Sequence, residues 1–395
     1  MRKKCFALSC TALTVSLFVA IAGAQSITQV GQFTAGDLNY WWHFGAAAAL
    51  AGDTVVVSAP STPDQAGAMY VYEKPSTGWG TVAPTAELDY DCNTGGRVAI
   101  SADGSTIAAL AEQCYGGQGA GSTRISIWVR PEGGWQHSGG PTAVIVNQNN
   151  QPFGSSCGNN FALSSDGKTL VCSDNLSWVH KNYLYFFDRP STGWDSTTKP
   201  NLTVTLNSGV KQFVTQIAMS GEIVALSSDN AQRVLVFQRT SSGLTQRASL
   251  STSDGAHFGG ELVMDSQTIV IEGTDLGSGT EKVYVFSKPS SGWQTATETA
   301  QITAAGSSTA GIGQSIAKSG NVLVVGGSSA AYVYVEPAGG WQTTSQPNAT
   351  LLSTDPYQVD FGGMVAIQDT TIVVGDPGEG QGGNQNGAAY IFVAQ

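Results

Sequence analysis

EKPSTGWG occupies residues 73–80, and the chain writes DRPSTGWD at 188–195 and SKPSSGWQ at 287–294. Looser copies, VRPEGGWQ at 129–136 and VEPAGGWQ at 335–342, keep the Pro, the Gly and the Trp. Pro fixes one backbone angle and stops a strand, and Gly takes a conformation that other residues resist. Each stretch therefore reads as a corner. Before every corner stands a short β-branched and aromatic run: MYVYE (69–73), ISIWV (125–129), YLYFF (183–187), VYVFS (283–287) and YVYVE (332–336). VLVFQ (234–238) and YIFVA (390–394) complete a set of seven, spaced about fifty residues apart. Leu244 stands in the fourth copy where the corner Trp is expected.

Working outward, each unit opens on a Phe-Gly or Gly-Gly pair, a short strand, a tight turn and a second β-branched strand. HFGAAAALAGDTVVVSAP (43–60), HFGGELVMDSQTIVIEG (257–273) and DFGGMVAIQDTTIVVGDP (360–377) show the pattern. Helical periodicity is absent after the first two dozen residues. Four strands per unit make a sheet that cannot bury both faces alone. Seven such sheets set radially bury one another. The predicted fold is all-β: a seven-bladed β-propeller with four antiparallel strands per blade. The seventh unit stops at Gln395, directly after its third strand. SITQVGQFTA (26–35) precedes the first Phe-Gly and resembles fourth strands such as NATLLST (348–354). The amino-terminal strand is therefore expected to join the last blade and close the ring, which removes an exposed sheet edge. The corner Trp residues then cover the blade contacts. The alternative is a circle of platforms for sugar rings.

Phe-Gly, then TVVVSAP or TIVVGDP, then a GAMYVYE-like strand, resembles the FG-GAP repeat of integrin alpha-subunit propellers and related bacterial secreted proteins. The likeness spans the mature chain and is carried best by repeats one, five and seven. Repeat three departs from it with Cys157-Gly158, repeat six with Ile312-Gly313. The resemblance implies an extracellular binding or adhesion role. It also implies a ligand face built from the loops joining strand four to strand one and strand two to strand three. Some family members hold calcium between strands one and two. Here that loop has shrunk to turns such as SADGST (101–106) and SSDGKT (164–169), each with at most one carboxylate. Calcium takes six to eight oxygens, so no metal and no cofactor is expected.

Arg2, Lys3 and Lys4, an apolar stretch from Cys5 to Ile21 and the small residues Ala22-Gly23-Ala24 read as an export signal over 1–24. A single propeller domain is expected over 25–395, secreted, periplasmic or at the cell surface, with no membrane insertion once the signal is removed. Removal takes the formal charge from −11 to −14. That argues against nucleic acid or an anionic membrane as partner. Cys92, Cys114, Cys157 and Cys172 would remain in an oxidising compartment. The expected pairs are Cys92–Cys114 and Cys157–Cys172, each flanking one strand–turn–strand unit.

No hydrolase triad is visible. His43 and His257 each precede Phe-Gly and are expected to hydrogen-bond a loop. Asn175-Leu-Ser, Asn201-Leu-Thr and Asn348-Ala-Thr fit the N-glycosylation pattern. On the predicted ligand face the candidate binding residues are Trp41, Trp42, Trp178, His180, Tyr357 and Asp360. Aromatics beside acids and amides suit a carbohydrate or peptide. The leading expectation is a monomeric, non-catalytic binding module for an extracellular glycan, cell-surface component or protein. The alternatives are a polysaccharide hydrolase or lyase working in the central funnel, and a structural envelope protein.

Overall fold

The computed structural model describes residues 26–35, 43–60, 67–89, 93–112, 123–146, 160–176, 181–206, 214, 216–227, 232–304, 312–380 and 386–394. It is all-β, with no helix among the described residues. Seven separate sheets form seven blades set in a ring. Blade one is a meander of Ala48–Ala51, Thr54–Ala59, Ala68–Glu73 and Ala86–Asp89. The later blades repeat this order.

The second and third strands are β-branched and aromatic because both of their faces are covered. TVVVSA (54–59) and TIVVGD (371–376) are buried at every position. The outer strands alternate instead, as in AELD (86–89), since they meet a neighbour on one side and solvent on the other. Seven apolar clusters lie between the blades, one for each adjacent pair. Between blades one and two, for example, Val56, Met69 and Leu88 pack against Ile107, Ala109 and Trp128.

The ring closes as the sequence predicts. Ile27–Phe33 pairs antiparallel with Ala388–Ala394, from Ile27 opposite Ala394 to Phe33 opposite Ala389. The seventh sheet thus takes three strands from the end of the chain and its outermost strand from the beginning.

The corner Trp residues sit where neighbouring blades meet. Trp135, Trp194, Trp293 and Trp341 are buried, each in the cluster shared with the preceding blade. Trp79 is half-buried and packs edge-on against Phe33 of the closing strand, with ring centroids 5.7 Å apart. Sugar platforms would need open ring faces, so the corners are structural. Three residues past the Trp, the chain also bridges back in parallel to the outer strand of the preceding blade. Ser138 meets Leu88, Thr197 meets Ile145, and Thr344 meets Ile302. Ala296–Thr297 extends this contact into a fifth strand on the sheet of blade four.

Candidate functional site

In blades one, five and seven a Phe-Gly pair stands at or just before the start of the first strand. Phe44, Phe258 and Phe361 are fully buried between blades. The glycine that follows Phe44 and Phe361 is pressed against the previous blade. Gly45 has φ 92° and Gly362 φ 105°. A Cβ on Gly45 would lie 2.3 Å from the Ala388 carbonyl oxygen, and one on Gly362 2.4 Å from that of Gly327. His43 has φ 52°, and its Nδ1 lies 3.2 Å from the Pro377 carbonyl oxygen. It ties blade one to a loop of blade seven, the role expected of it.

Loops of blade seven form the best-defined part of the predicted ligand face among the described residues. Leu352, Tyr357 and Val359 are 59%, 46% and 60% exposed, all within the segment that leads into the blade. The backbone beneath them is held at several points. The fully buried Asp376 carboxylate accepts from the Val359 and Asp360 amides, the latter at 2.7 Å. Asp355 accepts from the Tyr357 amide at 2.8 Å, and Ser353 from that of Asp355 at 2.9 Å. The Tyr390 hydroxyl donates to Glu379. Burial raises the carboxyl pKa of Asp360 and Asp376. Burial, with Asp355 and Asp376 nearby, pushes Glu379 up to about 7. Tyr357 and Asp360 therefore lie in one braced segment. Tyr357 is presented outward, whereas Asp360 is half-buried and braced by Asp376. Trp41, Trp42, Trp178 and His180 lie outside the described residues, as do Cys92, Cys114 and Cys157. Cys172 is fully buried in the second strand of blade three, opposite Tyr185.

The central channel carries a second constellation. Gly95-Gly96-Arg97 and Gly259-Gly260-Glu261 fall in irregularities of the first strands of blades two and five. Such a bulge re-aims the residue that follows it. Arg97 Nη2 lies 3.4 Å from Glu261 Oε1, although the blades are not neighbours, so the pair spans the channel. Arg97 also donates to Gln216 at 3.4 Å, and Asn160 donates to the same oxygen at 3.0 Å. A cavity of about 410 Å³ adjoins this group. Glycosidic acid–base chemistry needs two carboxylates converging on one bond. Among the described residues the cavity wall carries one, Glu261, which faces Arg97.

The turns between strands one and two use their single acids locally. Asp103 accepts from the Ser101 hydroxyl at 2.5 Å and the Ser105 amide at 3.0 Å, and Asp166 accepts from the Ser164 hydroxyl at 2.7 Å. These serine hydrogen bonds hold both carboxyl pKa values below the usual range. No group of three metal-ligating side chains occurs among the described residues.

Residues 27–72 and 349–392 match the FG-GAP repeat family. Both spans start on an outer strand and run through the next three strands, so the sequence repeat is offset from the blade by one strand. No curated protein matches the chain. Among solved structures, the WD40 domain of Toxoplasma gondii coronin aligns with a TM-score of 0.55 at 11% identity, over 94% of this chain and 86% of that one. Hydrazine synthase of Kuenenia stuttgartiensis gives 0.53 at 12% identity, over 91% and 96%. The β-propeller domain of the Pyrococcus furiosus Trilobed protease, described as having an open velcro topology, gives 0.50 at 10%, over 86% and 91%. At these identities the likeness is one of fold. The repeat matches at both ends and the closed ring of seven blades support an FG-GAP repeat propeller.

Proposed function

We propose that the protein is a secreted, non-catalytic binding propeller. It recognises an extracellular protein or glycan through the face that carries the strand four-to-one and two-to-three loops, with blade seven as its anchor. The observation that carries this reading is the exposure of Leu352, Tyr357 and Val359 on a backbone pinned by the buried Asp376. Apolar groups fixed in advance lose little freedom on binding, so their burial converts efficiently into affinity. Asp355 and Asp360 in the same segment favour a partner surface with basic groups beside apolar ones. The basic start and apolar stretch of residues 2–24 support export. In an oxidising compartment Cys92–Cys114 and Cys157–Cys172 would then pair.

The test is capture of extracellular protein and a glycan array, using the chain from Gln25 onward. A partner should be retained, and Tyr357→Ala with Val359→Ser should weaken it at least about tenfold, as loss of an interface anchor does. No partner above background in either format would overturn the reading.

A further inference from the structure

One repeat position lines the channel. It lies three residues before the strand-one residue that pairs with the second residue of strand two, as in Leu50 opposite Val55 and Met264 opposite Ile269. Blades two to five place Arg97, Asn160, Gln216 and Glu261 there, joined by the hydrogen bonds described above. Blades six, seven and one place Ser315, Met364 and Ala47 there. One side of the ring is therefore long, polar and charged, and the other is short or apolar. The 410 Å³ cavity lies where the short side chains leave room, bounded by Arg97, Glu261, Met364 and Ala47. Its volume falls in the range of small-molecule sites, about 300–1,000 Å³.

We propose that this cavity binds a small zwitterion of amino-acid or dipeptide size. The ligand carboxylate would rest on the Arg97 guanidinium, its ammonium on Glu261, and its apolar part against Met364 and Ala47. The Arg97–Glu261 contact at 3.4 Å is longer than the 2.7–2.9 Å of a tight charged hydrogen bond, and both side chains keep about a quarter to a third of their surface open. Two hydrogen bonds use part of the capacity of a guanidinium with five N–H groups. A zwitterion satisfies both charges at once. A singly charged ligand would draw one partner away and leave the other charge uncompensated, which a partly desolvated site resists.

The experiment is thermal denaturation and calorimetric titration of the exported chain with free amino acids and dipeptides. Matched N-acetylated and amidated analogues, each singly charged, and neutral sugars serve as comparisons. Zwitterions with apolar side chains should raise the midpoint and bind saturably, and the blocked analogues at least about tenfold more weakly. Ala47→Leu fills the cavity from a wall residue that carries no charge and should abolish binding, as should Arg97→Gln. Tyr357→Ala should leave it unchanged, which separates this site from the blade-seven face. Equal binding of singly charged analogues or sugars would overturn the assignment, and so would no response to any zwitterion.

Discussion

At the residue scale the controlling positions are those where one blade's backbone touches the next. Gly362 combines φ 105° with a contact that leaves no room for a methyl group, whereas Gly52 has φ 54° and open space around its missing Cβ. Gly362→Ala should therefore cost more than about 2 kcal/mol, and Gly52→Ala about 1–2 kcal/mol, from the left-handed backbone alone. Denaturant unfolding of both variants checks the difference. Two other residue-scale features are acids. Burial, with Glu281 nearby, pushes Glu272 up to about 7, and Glu379 is raised to a similar value. A carboxyl whose folded pKa lies above its unfolded one favours folding while protonated. That contribution is complete below the unfolded value and fades as pH rises toward 7. Thermal midpoints should thus fall between about pH 4.5 and 7, and Glu272→Gln with Glu379→Gln should flatten the slope. An unchanged slope in the double variant would contradict the assignment. Two of the glycosylation-pattern asparagines also do structural work. Asn201 Oδ1 accepts from the Asp188 amide and Asn348 Oδ1 from the Val335 amide, where Thr85, Thr142 and Thr299 accept in other blades.

At the element scale the blade contacts are not identical. The Trp corners lock blades one, two, three, five and six to the blade before each. Blade four turns instead through a short hairpin, with Thr240 opposite Gly243 and Leu244 beyond it. Its contact with blade three carries a forked ion pair. Arg239 donates to the two Asp188 oxygens at 2.8 and 2.6 Å and lies 4.7 Å from the centre of the Phe186 ring. The hydrogen bond from Arg239 holds the Asp188 carboxyl pKa low. Arg239→Ala should cost about 1–3 kcal/mol, the range for hydrogen bonds to charged groups. A double-mutant cycle with Asp188→Ala should return a coupling term; strict additivity would rule the pair out as a lock. Trp341→Ala, at a regular corner, should cost about 3–5 kcal/mol.

These contrasts show how far the chain could be read unaided. The corners, the aromatic third strands and the missing last strand were legible because each is a local pattern repeated at fixed spacing. The channel ring was not, since Arg97, Asn160, Gln216 and Glu261 become neighbours only when distant first strands converge on the axis. A signal did exist in the glycine pairs before Arg97 and Glu261, which permit the bulges. Asp376 was equally obscure: it is the last residue of its strand, yet its carboxylate is fully buried and organises the segment carrying Tyr357.

At the scale of the whole molecule, everything depends on closure. Without residues 26–35 the strand Ala388–Ala394 would present an unpaired edge, and the contact of blade seven with blade one would lose Phe33, which stacks on Tyr72 at 4.3 Å. A chain lacking these residues should associate through that edge and unfold at lower temperature. The most direct measurement is a cross-link across the latch. Thr28 and Val393 stand opposite each other in the register. Thr28→Cys with Val393→Cys should give an intramolecular disulfide in the monomer, identified by peptide mapping, with native stability kept or raised. Cysteines at 28 and 393 that stay unlinked within one chain, or that link only between chains, would contradict the closed ring.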